Sequence, residues 1–84
     1  MAIEEHVEIV KQGRKAITNW RKQNPLRKLD LSGANLEGIN LQGASMDGAD
    51  LRDADLRDAD RRDADLRGAN LSNAERTDAK LHRE

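Results

Sequence analysis

Along most of this chain the hydrophobic positions recur every fifth residue. Leu or Met stands at Leu31, Leu36, Leu41, Met46, Leu51, Leu56, Leu66, Leu71 and Leu81, and two arginines, Arg61 and Arg76, interrupt the schedule. Two places before each lies a second apolar column, small at Ala34, Ala44, Ala49, Ala54, Ala59, Ala64, Ala69, Ala74 and Ala79 and larger at Leu29 and Ile39. The residue between the columns is usually Asp or Asn, so the unit reads Ala-Asp-Leu-x-x. On an α-helix a step of five residues advances about 140° past a full turn, and the leucines would spiral around the rod. In a straight strand, residues five apart would fall on opposite faces. The period is satisfied when the chain bends once per unit, so that the Ala and Leu of each short extended segment point the same way. Four units with corners between them close a square coil of about twenty residues, and coils stack at the inter-strand spacing of roughly 4.8 Å. Asp and Asn can bond nearby backbone N–H groups, and Gly33, Gly38, Gly43, Gly48 and Gly68 suit corners that need positive φ.

Units such as Ala34-Asn35-Leu36-Glu37-Gly38 and Ala49-Asp50-Leu51-Arg52-Asp53 resemble those of pentapeptide-repeat proteins, and the resemblance covers residues 29–83. It implies a β-solenoid in the form of a right-handed quadrilateral β-helix, here of about three coils. The handedness comes from the resemblance and not from the period. The segment Trp20-Arg21-Lys22-Gln23-Asn24-Pro25 also resembles the N-terminal helical cap of many bacterial members, cyanobacterial ones especially. The expected organisation is therefore a capping helix and linker over 1–25 and a repeat region over 26–84.

On a helical wheel, residues 3–21 place Ile3, Val7, Ile9, Val10, Gly13, Ile17 and Trp20 within one arc, with Glu4, Glu5, Glu8, Lys11, Gln12, Lys15 and Asn19 opposite. One amphipathic helix is expected, with early acids and late bases complementing its macrodipole and Asn24-Pro25 ending it. Its apolar side, Ile3, Val7, Val10, Ile17 and Trp20, should cover the first coil, as the terminal repeats of solenoids require. His6 and Arg14 interrupt that arc and are expected at its margin.

Composition adds a constraint rather than a fold. Eighty-four residues with no Cys and one aromatic, Trp20, leave regular stacking as the source of stability. Charged residues are 37% of the chain and net charge is −1, so no basic nucleic-acid footprint appears in the total. No run is long enough to span a bilayer, and neither membrane association nor direct nucleic-acid binding is expected; a cytoplasmic location is the default reading. His6 and His82 lie at opposite ends of the sequence, no phosphate loop or catalytic triad spacing occurs, and no cofactor, metal or enzymatic activity is expected. The acidic run from Asp50 to Asp65 lacks the spacing of known calcium loops and is interleaved with Arg.

Residues twenty apart should be neighbours on adjacent coils. This predicts the pairs Glu37–Arg57, Asp47–Arg67 and Asp63–Arg83, and the unfavourable stacks Asp58–Asp78 and Asp55–Glu75. In the leucine column a buried guanidinium is costly, so the stack is expected to distort or fray from Arg61, or Arg61 to reach a carboxylate or solvent through a corner; Arg76 can turn outward at the last coil. With no second cap in sight, Leu66, Leu71, Arg76 and Leu81 form a candidate C-terminal interface for an end-to-end homodimer.

The resemblance implies non-enzymatic binding, and the preferred reading is a structural or protein-interaction module with an unknown protein partner. Some members bind bacterial DNA gyrase as duplex mimics. Three coils here would rise only about 13–14 Å against roughly 34 Å per DNA turn. A designed or shortened minimal solenoid with no native role is the third reading, suggested by the uniform run from Ala49 to Asp65.

Overall fold

The computed structural model describes residues 2–76. Its N-terminal part holds two helices, α1 (Glu4–Lys11) and α2 (Arg14–Gln23). The single helix expected over 3–21 is thus corrected to two. Gly13 adopts φ 100° and ψ −177°, a conformation open to Gly and closed to most L-residues, and the chain turns there before α2 begins. Glu4 and Glu5 occupy the first turn of α1, and Arg21 and Lys22 the last turn of α2, each complementing the local dipole. At the end of α2 both the backbone N–H and the Nδ2 of Asn24 donate to the Trp20 carbonyl at 2.9 Å, and Pro25 prevents continuation.

From Leu29 to Arg76 the chain is a β-solenoid. Parallel bridges join Asp30 to Asp50 and Asp50 to Asn70, Asn35 to Asp55 and Asp55 to Glu75, Asn40 to Asp60, and Ser45 to Asp65. A constant offset of twenty residues in four columns means that four five-residue units make one level. Every level therefore repeats the level beneath it residue for residue.

The unit Ala49-Asp50-Leu51-Arg52-Asp53 shows why each residue type is needed, because all five of its N–H groups find acceptors. Ala49 closes a turn onto the Met46 carbonyl (3.1 Å), and Asp50 reaches down to the Leu29 carbonyl (2.9 Å). Leu51 donates to Asn70 (2.8 Å) and Asp53 to Ser72 (2.9 Å). The remaining N–H, that of Arg52, cannot reach another level and is taken by Oδ1 of Asp50 at 3.1 Å. An acceptor side chain just before the Leu thus completes the backbone accounting, which is the physical reason for Asp or Asn in that column. The same bond joins Glu37 to Asn35 (3.2 Å), Gln42 to Asn40 (3.0 Å) and Arg57 to Asp55 (3.1 Å).

The corners lie two residues after the Leu, at positive φ. Gly33, Gly38, Gly43, Gly48 and Gly68 lie between 70° and 75°, while Asp53, Asp58, Asp63 and Asn73 take the same corner at 60° or 61°. Asp and Asn are among the few L-residues that tolerate this region.

Leu31, Leu36, Leu41, Met46, Leu51 and Leu56 are buried, together with Leu29, Ala34, Ala44, Ala49, Ala54 and Ala59. Val10, Ile17 and Trp20 of the helices join the same core, so the helical pair packs on the first level. Leu66, Leu71 and Ala74 are half-buried against it. Leu81, Asp78 and Arg83 lie outside the described residues.

Of the two outcomes expected at Arg61, distortion of the stack does not occur among the described residues. Arg61 is only 3% exposed, inside the column, yet the stack remains regular beyond it: Ala64 closes its turn on the Arg61 carbonyl at 3.1 Å, and Glu75 still donates to Ala54 at 2.9 Å. The ladder runs through backbone groups and is indifferent to the side chain that points inward. Arg76 is exposed.

Candidate functional site

The lower edge of the solenoid is where side chains do what backbone does elsewhere. On higher levels the Asp50 N–H donates to Leu29 and the Asp50 carbonyl accepts from Leu31 at 2.8 Å. The equivalent residue on the first level, Asp30, has no level beneath it. Its carbonyl instead accepts the Ile3 N–H at 3.1 Å, and its N–H donates to Nδ1 of His6 at 2.9 Å. A second substitution occurs one column away: the Arg67 carbonyl accepts from Gly48 (2.9 Å), while its first-level counterpart Asp47 accepts from Nη1 of Arg21 (2.9 Å). Arg21 Nη2 also holds the Asp47 carboxylate at 2.8 Å. The helical pair thus supplies groups that an additional coil would have supplied.

These contacts correct three expectations. His6 is fully buried rather than marginal. Its ring meets Trp20 edge-on at 4.8 Å between centroids, and the Arg27 guanidinium lies 5.5 Å from the Trp20 ring. Ile3, expected in the apolar cover, is 41% exposed and docks through its backbone; Val7 is half-buried. Asp47 does not pair with Arg67, since Arg21 reaches it first and Arg67 turns to Asp65. A wheel could have flagged His6, which lies four residues before Val10 on the same face. Which edge group it would meet required the fold.

Around the second level runs a belt of four Asp–Arg forks within single units. Arg52, Arg57, Arg62 and Arg67 each grip the Asp two residues earlier through Nε and Nη2, at 2.7–2.9 Å throughout. Bidentate geometry of this kind is the strong form of the pair, although exposure limits its worth. Hydrogen bonds from Arg hold the Asp50 and Asp55 carboxyls below the usual range and bring Asp65 down to about 2. The expected Glu37–Arg57 contact forms at 3.7 Å. Arg57 also grips Asp55, whose bridge partner is Glu75, so the like-charged stack is mitigated by a shared cation.

Two adjoining shallow grooves open where the α1–α2 elbow meets the first level, of about 600 and 460 Å³. Lys11 and Asn40 line both, Gln12, Arg14 and Gln42 the first, and Glu37 and Ile39 the second. They present one carboxylate between them, not the facing pair that acid–base chemistry uses. Among the described residues no group of three His, Cys, Asp or Glu could hold a metal ion, and no helix is long and apolar enough to cross a membrane.

Residues 26–60, 34–73 and 49–83 match the family of pentapeptide repeats, with eight copies. Among solved structures, the chain is similar to a pentapeptide repeat protein, Rfr23, from the cyanobacterium Cyanothece 51142, with 38% identity and a TM-score of 0.56. That match covers 61% of this chain and 38% of the other, so the chain spans less than two-fifths of that protein's length. Comparison with curated proteins finds no significant match.

Proposed function

This chain belongs to the pentapeptide-repeat family, and from that premise we propose that it is a non-enzymatic protein-interaction module. In this reading residues 1–25 are a cap and linker, and residues 26–84 form a right-handed quadrilateral β-helix of about three coils. The family likeness supports the handedness, and the twenty-residue bridge offset supports the four-sided coil. The partner is a protein, and the location is cytoplasmic.

The observation that carries the reading is a difference between the two ends. The lower edge is closed by Ile3, His6 and Arg21, and its leucines are buried, whereas Leu66, Leu71 and Ala74 toward the upper end are only half-buried. Strand edges of this kind pair with other chains unless something covers them. The surface around Leu66, Leu71 and Arg76 is accordingly the interface of an end-to-end homodimer, to which Leu81, outside the described residues, is assigned from its place in the five-residue period alone. Sedimentation at micromolar concentration should give a dimer, and Leu71→Glu should return it to monomer with the far-UV spectrum preserved. A monomer at all concentrations overturns the assembly.

A duplex-mimicking gyrase binder is the second reading, and one feature favours it. Residues 29–76 hold eleven acidic and six basic side chains, an acidity that the net charge of −1 for the whole chain conceals. Inhibition of gyrase supercoiling by the purified chain would support it; no inhibition at micromolar concentration would eliminate it.

A further inference from the structure

We propose that His6 is a pH-sensitive latch: in its neutral form it docks the helical pair onto the lower edge of the solenoid, and its protonation releases that docking. The argument begins with proton placement. A backbone N–H can only donate, so the 2.9 Å contact from Asp30 makes Nδ1 of His6 an acceptor and places the ring proton of the neutral form on Nε2. An imidazolium carries protons on both nitrogens. Protonation therefore destroys the one acceptor available to the Asp30 N–H, a group that on each higher level is satisfied by the carbonyl beneath.

The surroundings also oppose the charge. Nη2 of Arg27 lies 3.3 Å from Nε2, which carries a proton in both forms of the ring, so Arg27 opposes protonation as a neighbouring positive charge and not as a hydrogen bond gained or lost. The ring is fully buried against Trp20 of α2. The charged groups facing it are Arg27 from the segment after α2, Glu5 from α1 and Asp30 from the first level. Of the two carboxylates, that of Asp30 is already occupied by the Ser32 N–H (3.2 Å) and hydroxyl (2.8 Å). Burial first and Arg27 second hold His6 below its ordinary value of 6.5 against the weaker pull of Glu5 and Asp30.

The sign follows from linkage. Undocked, His6 takes up its proton near 6.5; docked, it does so only at lower pH. The undocked form therefore binds more protons in that window, and docking is intact above 6.5 and weakens as the pH falls below it. Release would uncover the Asp30 edge together with Val10, Ile17 and Trp20, all now in the core. The latch thus makes exposure of an edge and an apolar face responsive to mild acid.

Trp20 is the only tryptophan and reports on the event directly. Its emission in the full chain should shift red between about pH 7.5 and 4.5, above the ordinary range of Asp. Far-UV loss should be confined to the helical signal. His6→Asn keeps an acceptor at the Nδ1 position without the titration and should abolish the shift, while His82→Gln should leave it unchanged. A flat Trp20 signal in the wild type, or an unaltered shift in His6→Asn, overturns the latch. Should His6→Asn not fold, NMR titration of the wild-type ring decides. An apparent pKa below 6.5 with Nδ1 unprotonated at neutral pH supports the proposal, and a value at or above 6.5 refutes it.

Discussion

The first level of the solenoid, residues 30–48, and the second, residues 50–68, share one backbone and differ in chemistry. On the first, all four corners are Gly and the positions after the leucines are Ser32, Glu37, Gln42 and Asp47. On the second, three corners are Asp and the corresponding positions are all Arg, each locked to the preceding Asp. Two requirements survive the change: an acceptor side chain before the Leu and a residue that tolerates positive φ two places after it. The fold asks little else of its surface. That freedom permits a charge separation, with seven basic and three acidic residues over 1–28 against six and eleven over 29–76.

The comparison predicts that the two cores are equivalent. Leu36→Ala and Leu56→Ala remove side chains that are 1% and 0% exposed, and each should cost about 2–5 kcal/mol. In a domain of this size that approaches the whole stability. Urea unfolding of both variants tests the equivalence; a Leu56→Ala cost under about 1 kcal/mol would show a loosely packed second level. The levels differ in charge at one inward position, where Arg61 follows Leu41 in the column. Arg61→Leu should extend the apolar column and relieve the desolvation of a guanidinium, a gain on the order of 1–3 kcal/mol. A lowered melting temperature would instead assign Arg61 a stabilising role.

The period of five makes the solenoid, its two inward columns and its Gly corners legible in the sequence, because each is a local demand repeated in every unit. What escaped belongs to places where the repetition stops. His6 was ambiguous on the wheel, since its burial depends on meeting the edge N–H of Asp30, twenty-four residues away. Asp47 was assigned to Arg67 by the stacking rule, which knows nothing of Arg21 on α2. Gly13 fitted the apolar arc of one helix and turned out to divide two. Arg61 is the opposite case: its side chain suggested either a distorted stack or an escape to a carboxylate or solvent, and the first does not occur among the described residues because the ladder around it is made of backbone.

Exchanging corner residues between levels should produce the next largest effect. Gly38 at φ 71° has open space where a Cβ would stand, so Gly38→Ala isolates the backbone penalty, about 1 kcal/mol or somewhat more. Gly43 is a poorer choice, because a Cβ there would come within 3.1 Å of Arg14 Nη1. On the second level Asp58→Gly at φ 61° relieves the same strain and should stabilise by about 1 kcal/mol or less, the flexible unfolded chain offsetting part of the gain. Opposite signs in thermal melts are the expected outcome. Equal signs would mean that Asp58 contributes something at its corner beyond tolerance of the angle.

The smallest effect should separate the levels by acid. On the second level the carboxyls of Asp50, Asp55 and Asp65 are held low by hydrogen bonds from Arg52, Arg57 and Arg67, Asp65 to about 2. On the first level the acceptors Asn35 and Asn40 do not titrate. A carboxyl depressed by folding binds fewer protons than its unfolded counterpart, so its contribution is complete above the unfolded value of 3.8 and is lost as the pH falls toward the folded one. The melting temperature should therefore decline between pH 4 and 2, beneath the range in which His6 titrates. Replacing Asp50, Asp55 and Asp65 together by Asn keeps the acceptor for each Arg N–H while removing the titration, converting the second level to the chemistry of the first. That variant should lose little at neutral pH, because exposed pairs are weak and screened, and should show a flatter acid limb. An acid limb as steep as the wild type would place the acid sensitivity outside the forks, and a large loss at pH 7 would show that the belt stabilises the second level far more than solvent-exposed pairs ordinarily do.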